Sequence, residues 1–243
     1  MRFRLLVQGK VKVNGEEIKN TISQGFLQYL SSFILGQTYF PAYYAIVVLP
    51  TSQVQQANVT NVSFKFLAVG TPIISITVQS YFSNVNATVT GFQLLLYLTN
   101  GNFIPVSSVQ IPQQYYTQIT VEWTLTISAV PVSQFVINQQ GVQAIMANAL
   151  IPNAQLLYNL TITFNENSFQ LPSYLQQVKF STGGSQGVVT MSSQCLLTAS
   201  PTSPTIVNVV LDGNQIGSFQ LNLVNIQANS LVNISMEMVI SGD

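Results

Sequence analysis

The side chains that perform most enzyme chemistry are scarce in this sequence. It contains no histidine, a single cysteine and seven Asp and Glu residues in total. A Ser-His or Cys-His pair, a histidine-ligated metal and an intrachain disulfide are therefore excluded. The one thiol, Cys195, has no base or cation near it in sequence, so we expect an inert buried thiol rather than a reactive one.

Paired carboxylates are the remaining route to acid-base catalysis. The acidic residues are Glu16, Glu17, Glu122, Glu166, Asp212, Glu237 and Asp243. Glu122 and Glu237 hold equivalent places in two similar halves of the chain, which puts them in different domains, each on the polar face of its strand. We interpret them as exposed, solubilising charges. Asp212, in Asp212-Gly213-Asn214, is interpreted as a turn former.

Phosphate-binding and nucleophile motifs are missing as well. The glycine-rich stretch 181–187 has no lysine and does not lead into a helix, so we interpret it as a flexible loop. Serine and threonine are plentiful, but the sequence offers no base to activate them. The sequence thus predicts a protein that is not an enzyme, with no catalytic, cofactor-binding or metal-ligating residue and no cofactor.

Aromatic residues form two clusters that have two interpretations. The clusters consist of Tyr39, Phe40, Tyr43, Tyr44, Tyr115 and Tyr116. Such rings make a sugar-binding platform when exposed, but aromatic clusters more often belong to a core or an interface, which is the interpretation we favour.

Most of the chain alternates apolar and polar residues with a period of two, as half-buried strands do. In 119–127 the residues Ile119, Val121, Trp123, Leu125 and Ile127 point one way and the polar residues between them the other. Only two stretches have helical spacing, 21–36 and 140–150. Many short strands with so few helices predict an all-β fold, a sandwich or a barrel.

The second half of the chain resembles the first when it is shifted by about 112 to 116 positions. Ile119–Leu125 aligns with Ile234–Ile240, and the turn Asn100-Gly101-Asn102 aligns with Asp212-Gly213-Asn214. Order and spacing are preserved, which favours a tandem duplication. We therefore predict two tandem β-sandwich domains, each with one short helix, at 1–129 and 130–243.

Half of the charged residues lie in the first nineteen positions, within a predicted basic hairpin at 1–20 that turns at Asn14-Gly15. Our preferred interpretation is a solvated edge hairpin whose lysines and arginines block unwanted strand pairing. The alternative is a docking face for an acidic partner or packaged nucleic acid. For the chain as a whole nucleic-acid binding is not expected, because seven basic and seven acidic residues cancel.

The composition indicates a protein that associates with other copies. Only 6% of residues are charged and 47% are hydrophobic, with a mean hydropathy of +0.37. A β-rich surface with so few charges favours association. No apolar stretch approaches the 20 or so residues of a membrane-spanning helix, so no transmembrane segment is predicted. Because histidine is absent and carboxylates are few, stability should change little even in strong acid.

Several of these features together resemble a known group of proteins. The segments are a basic hairpin with the sequence Gly9–Gly15, an apolar helix like Gly25–Gly36, and strands that close on Val121–Ile127. This layout resembles small structural proteins in the tails and virions of phages. The Asn-, Gln-, Tyr- and Val-rich, charge-poor texture resembles turret, spike, tail or vertex proteins of archaeal viruses from hot acidic springs. The resemblance implies jelly-roll-like domains, many copies around a symmetry axis, and no catalysis.

We therefore expect a non-enzymatic structural subunit of a virion. Its expected partners are further copies of itself, other virion structural proteins and a host surface receptor. The alternatives are a cell-surface filament or surface-layer subunit, and a receptor-binding or carbohydrate-binding module.

Overall fold

The computed structural model describes residues 2–34, 38–66, 71–132, 135–152, 160–164, 170–172, 174–180, 186–197, 200–211 and 214–242. The elements in chain order are β1 (Arg2–Val13), β2 (Glu16–Ile18), β3 (Thr21–Ile22), α1 (Gln24–Ile34), β4 (Pro41–Leu49), β5 (Gln53–Phe66), β6 (Pro72–Phe82), β7 (Ala87–Leu98), β8 (Phe103–Tyr116), β9 (Ile119–Val132), β10 (Phe135–Ile137), α2 (Gln139–Leu150), β11 (Leu160–Phe164), β12 (Gln170–Pro172), β13 (Tyr174–Phe180), β14 (Gln186–Leu196), β15 (Thr205–Leu211), β16 (Asn214–Leu221) and β17 (Leu231–Gly242). The predicted all-β fold is confirmed.

α1 lies inside the predicted segment 21–36, α2 begins one residue before the predicted segment 140–150, and each helix begins at a side-chain cap. Ser23 Oγ accepts a hydrogen bond from Phe26 N at 3.1 Å, and Asn138 Oδ1 accepts one from Gly141 N at 3.0 Å. Such caps satisfy backbone donors that a first helical turn leaves unpaired. Position 36, the expected stop of the first helix, lies outside the described residues.

The first half of the chain forms a curled sheet with the strand order β3-β8-β7-β4-β5-β6-β9-β1. The curl occurs in β5, whose residues 53–57 pair with β4 while its residues 58–66 pair with β6. The inward-facing side chains form a core whose largest fully buried members are Trp123, Tyr44, Phe26, Phe33 and Phe92.

The second half repeats this strand order. Its sheets run β10-β16-β15-β11-β12 and β13-β14-β17. Strands β12 and β13 flank residue 173 and take the places that the two parts of β5 take in the first half. The predicted division at 129/130 stays a prediction, and that position falls within β9, which runs on to Val132.

One strand, β1, joins the two halves. It pairs antiparallel with β9 along its whole length, and its residues 2–7 pair on the other side, parallel, with β17. The hairpin turn is present, with φ of 48° at Asn14 and 92° at Gly15, and it brings β2 beside Val11–Val13. The expectation of an edge hairpin was wrong for most of β1, because residues 2–7 pair with β17 and residues 11–13 pair with β2 on the side away from β9.

The helices cross between the halves. Helix α1 packs against β8 of its own half and against β14 and β17 of the other, and α2 packs against β16 of its own half and against β6 of the other. The hydroxyls of Tyr29 and Tyr44 donate to the backbone oxygens of Ala149 and Leu150 at the end of α2, at 3.1 and 2.8 Å. The buried apolar residues of both halves therefore belong to one core.

Candidate interaction surface

The structure does not bring the two carboxylates of interest together. Glu237 lies opposite Arg2 and Glu122 lies opposite Lys12 in the strand register. These positions are ten residues apart on β1, which corresponds to about 33 Å along a strand. Among the described residues, no cluster of His, Cys, Asp and Glu side chains is able to hold a metal ion.

Two lysines of the hairpin form ion pairs. Lys10 Nζ lies 3.1 Å from Glu17 Oε1, and Lys12 Nζ lies 3.2 Å from Glu122 Oε1. Both pairs are solvent-exposed, so each contributes little to stability. Glu122, which comes from β9, adds one negative charge to this surface and weakens the case for a docking site for nucleic acid.

Several candidate residues named from the sequence lie outside the described residues, or have side chains that are not described. Glu166, Asp212, Asp243 and most of the loop 181–187 lie outside the described residues. Cys195 lies on β14, where its backbone position is opposite Val232, and its side chain is not described. In the part of the chain that is described, no helix has the length and apolar character needed to cross a bilayer.

The aromatic residues of the first cluster divide between core and surface. Tyr44 is completely buried, and the Phe40 ring packs edge-on against Phe33 with centroids 5.9 Å apart. Tyr39 is 55% exposed and Tyr43 is half-buried. In the second cluster Tyr115 is 61% exposed. The favoured interpretation was a core or an interface, and Tyr44 and Phe40 do belong to the core.

Tyr43 belongs to a row of three rings that crosses three neighbouring strands. It stacks on Tyr97 with centroids 4.6 Å apart and an interplanar angle of 10°, and Tyr97 lies 5.5 Å from Phe103. The backbone register places Tyr43 opposite Tyr97 and Tyr97 opposite Phe103. Cross-strand neighbours on one face of a sheet are close enough for such contacts.

The turn between β7 and β8 sets this register. Leu98 N donates to Asn102 O at 2.8 Å, and Gly101 N donates to Leu98 O at 2.9 Å. Gly101 has φ of 85°, a backbone conformation that glycine adopts without strain. This three-residue turn makes Tyr97 and Phe103 the second pair from the turn, on the outer face of the sheet.

The outer face around the row is mainly apolar, and we call it the aromatic face. Gln56 and Gln93 also lie on it, opposite Ala45 and Val47. Its residues on β4, β5, β7 and β8 are Tyr43, Ala45, Val47, Val54, Leu95, Tyr97 and Phe103. Val54 and Phe103 are each 54% exposed, whereas Ala45, Val47 and Leu95 are already buried within the chain. The opposite face of the same strands is the core, including Ile46 and Leu94. Strands that are apolar on both faces are typical of sheets covered on both sides.

The aromatic row has no counterpart in the second half. There the second pair from the β15–β16 turn is Val210 and Gln215, and Thr161 of β11 lies opposite Val210. The repeated strand order therefore does not require rings at these positions. Tyr97 and Phe103 were not predicted as a pair. Counting outward from a turn at Asn100-Gly101-Asn102 would place Phe103 opposite Thr99, whereas the observed turn at 99–101 places it opposite Tyr97.

Comparison of the chain with protein-family models, with curated protein sequences and with solved structures finds no match.

Proposed function

We propose that the chain is a non-enzymatic structural subunit of a virion and that it assembles in multiple copies through the aromatic face. The observation that carries this proposal is the apolar character of β4 and β7 on both of their faces. One face is the core. On the other face Ala45, Val47 and Leu95 are buried within the chain, and half-buried Tyr97 lies beside two exposed residues of the neighbouring strands, Phe103 of β8 and Val54 of β5. Burying such a surface against another subunit is favourable, because it removes apolar area from water.

The finer architecture belongs to the same proposal. Two tandem β-sandwich repeats with jelly-roll-like topology account for the repeated strand order and for the two equivalent helices. We place the protein in the virion, in contact with other copies and with other virion proteins. The sparse charge of the chain supports this placement, since a β-rich surface without charges favours association.

The assembly state of the full chain tests the proposal. We expect light scattering after size exclusion to show oligomers whose mass rises with concentration, and negative-stain images to show rings or closed particles. Phe103→Glu and Val54→Glu should each shift the protein to monomer, because a carboxylate cannot be buried unpaired in an apolar contact. Both positions are exposed in the monomer, so the circular dichroism spectrum should not change.

Tyr115→Glu is the matched control, since Tyr115 lies on the same strand as Phe103 and is similarly exposed but lies outside the aromatic face. This variant should assemble as the natural chain does. A natural chain that stays monomeric at high concentration, or a Phe103→Glu variant that assembles normally, would overturn the proposal. If the images showed open-ended fibres, the result would favour the surface-filament alternative over a virion subunit.

A further inference from the structure

A second surface feature lies at the bend of β5, away from the aromatic row. There β5 leaves β4 and joins β6, and its side chains border a cleft of about 360 Å³ with Gln79 and Tyr81 of β6. This volume lies in the range of small-ligand sites. The cleft is lined by uncharged polar side chains and one aromatic ring.

Internal hydrogen bonds hold the walls of this corner cleft in place. Ser80 Oγ donates to Gln56 O at 3.4 Å, and Thr60 Oγ1 donates to Thr77 O at 3.3 Å. The Tyr81 hydroxyl donates to Gln118 Oε1 at 2.7 Å, which fixes the orientation of a ring that is 49% exposed. Walls fixed in advance lower the entropic cost of binding a ligand.

The polar groups that face the corner cleft are not engaged by the protein. The side-chain amides of Gln55, Gln56, Asn58 and Gln79 make no hydrogen bond to any described residue. Each amide carries two donor hydrogens and an acceptor oxygen. A set of such groups around a fixed aromatic ring matches a ligand that has many hydroxyls and a face of C–H bonds.

We propose that the corner cleft binds a neutral carbohydrate. The sugar ring stacks on Tyr81, since the face of an aromatic ring is partially negative and attracts polarised C–H groups. The amides of Asn58 and Gln79, which are cross-strand neighbours, donate to and accept from its hydroxyls. The nearest carboxylate on the neighbouring strand, Glu122, lies opposite Gln79 and is paired with Lys12 at 3.2 Å. Because no cation lines the cleft, an anionic sugar gains no ionic contact there.

The test measures binding of a panel of neutral oligosaccharides to the full chain by saturation-transfer NMR and calorimetry. The probes are maltohexaose, cellohexaose, mannohexaose and chitohexaose, each at millimolar concentration, with oligogalacturonate as an anionic comparison. We expect at least one neutral hexamer to bind. Tyr81→Ala should weaken its binding about tenfold or more, while Tyr81→Phe, which keeps the ring, should retain most of it.

Tyr115→Ala controls for the loss of an exposed aromatic ring elsewhere and should bind as the natural chain does. Asn58→Ala and Gln79→Ala, which leave the ring in place, should each weaken binding severalfold. The proposal is overturned if no neutral hexamer binds, if only oligogalacturonate binds, or if Tyr81→Ala binds unchanged. Assembly through the aromatic face is measured separately, so either proposal is able to fail without the other.

Discussion

Tyr44 shows how a single polar atom ties the two halves together. Its side chain belongs to β4 in the first half and is completely buried, and its hydroxyl donates to Leu150 O at the end of α2, at 2.8 Å. Burial raises the pKa of this phenol far above its usual value of about 10. The reason is that the phenolate cannot be solvated in the core.

The pH dependence of stability above pH 10 tests this account. In the unfolded chain Tyr44 loses its proton near pH 10, whereas in the folded chain it keeps the proton. Above pH 10 deprotonation therefore favours the unfolded state, and the free energy of unfolding declines. The free energy of unfolding should fall by about 1.4 kcal/mol per pH unit from this residue. Urea unfolding between pH 8 and pH 11.5 measures the slope.

Tyr44→Phe is the comparison variant for that experiment. It should be less stable at pH 8 by about 1 kcal/mol, because Leu150 O loses its donor, but its stability should decline less steeply above pH 10. Equal slopes in both proteins would show that Tyr44 ionises as readily in the folded chain as in the unfolded one.

The partners of buried polar residues could not be predicted from the sequence. Asn20 is the last residue of the segment predicted as a charged hairpin, and it is only 6% exposed. With its nitrogen turned toward Gly9 O, at 2.5 Å, its oxygen accepts from Trp123 Nε1 at 3.0 Å. Nothing local to Asn20 indicates a partner a hundred residues away, because that contact depends on how β1 pairs with β9.

At the scale of elements, the two helices begin alike but dock differently. Gly25 stands in the first turn of α1, where an added Cβ would have its nearest neighbour, Ser23 Oγ, at 3.7 Å. Gly141 stands in the first turn of α2, where an added Cβ would lie 1.9 Å from Gln215 O on the backbone of β16. A backbone atom cannot rotate away as a flexible side chain can, so α2 needs glycine there.

Gly141→Ala should therefore lower the free energy of unfolding by about 1–3 kcal/mol, because α2 must move away from β16. Gly25→Ala is the matched control in the equivalent helix. It should be neutral or raise stability by up to about 1 kcal/mol, since alanine favours a helix over glycine. Thermal unfolding of the two variants makes the comparison, and equal losses would contradict the docking of α2 on β16.

The period of two along the chain was enough to predict most strands, and apolar spacing was enough to predict α1 and α2. The position of a strand within its sheet could not be predicted in this way. β1 carries lysines and arginines on one face, which is typical of an edge strand, but alternation reports only which face is buried. Its neighbours are set by pairing with β9 and β17, far away in sequence.

At the scale of the molecule, the shortage of titratable groups predicts tolerance of acid. The chain has seven acidic residues and no histidine. The two described ion pairs, Lys10–Glu17 and Lys12–Glu122, reach solvent, so neither contributes much to stability. Between pH 7 and pH 3 the free energy of unfolding should fall by no more than about 2 kcal/mol. Urea unfolding at the two pH values measures the loss.

The double variant Glu17→Gln, Glu122→Gln provides the control, since it removes both pairs at neutral pH. Its stability should differ little between pH 7 and pH 3. A much larger acid loss in either protein would reveal a carboxylate that the folded state stabilises strongly.

Composition and periodicity sufficed for the fold class, because they reflect how much surface must be buried and with which local geometry. They did not indicate that α1 and α2 each pack on the opposite half. Phe26, Phe33 and Ile145 have the apolar pattern of any helix that covers a sheet, and that pattern does not say which sheet. The aromatic row was hidden for the same reason, since its rings come from three strands.

The parallel pairing of β1 with β17 has a consequence for synthesis on the ribosome. Translation delivers β1 first, and its antiparallel partner β9 follows by residue 132, so the earlier half is able to form while the chain is still growing. The other side of residues 2–7 must wait with unpaired backbone groups until residues 237–242 emerge. During that interval the nascent chain exposes a strand edge that invites mispairing between neighbouring polysomal chains, and a chaperone that shields it would raise the yield of folded protein.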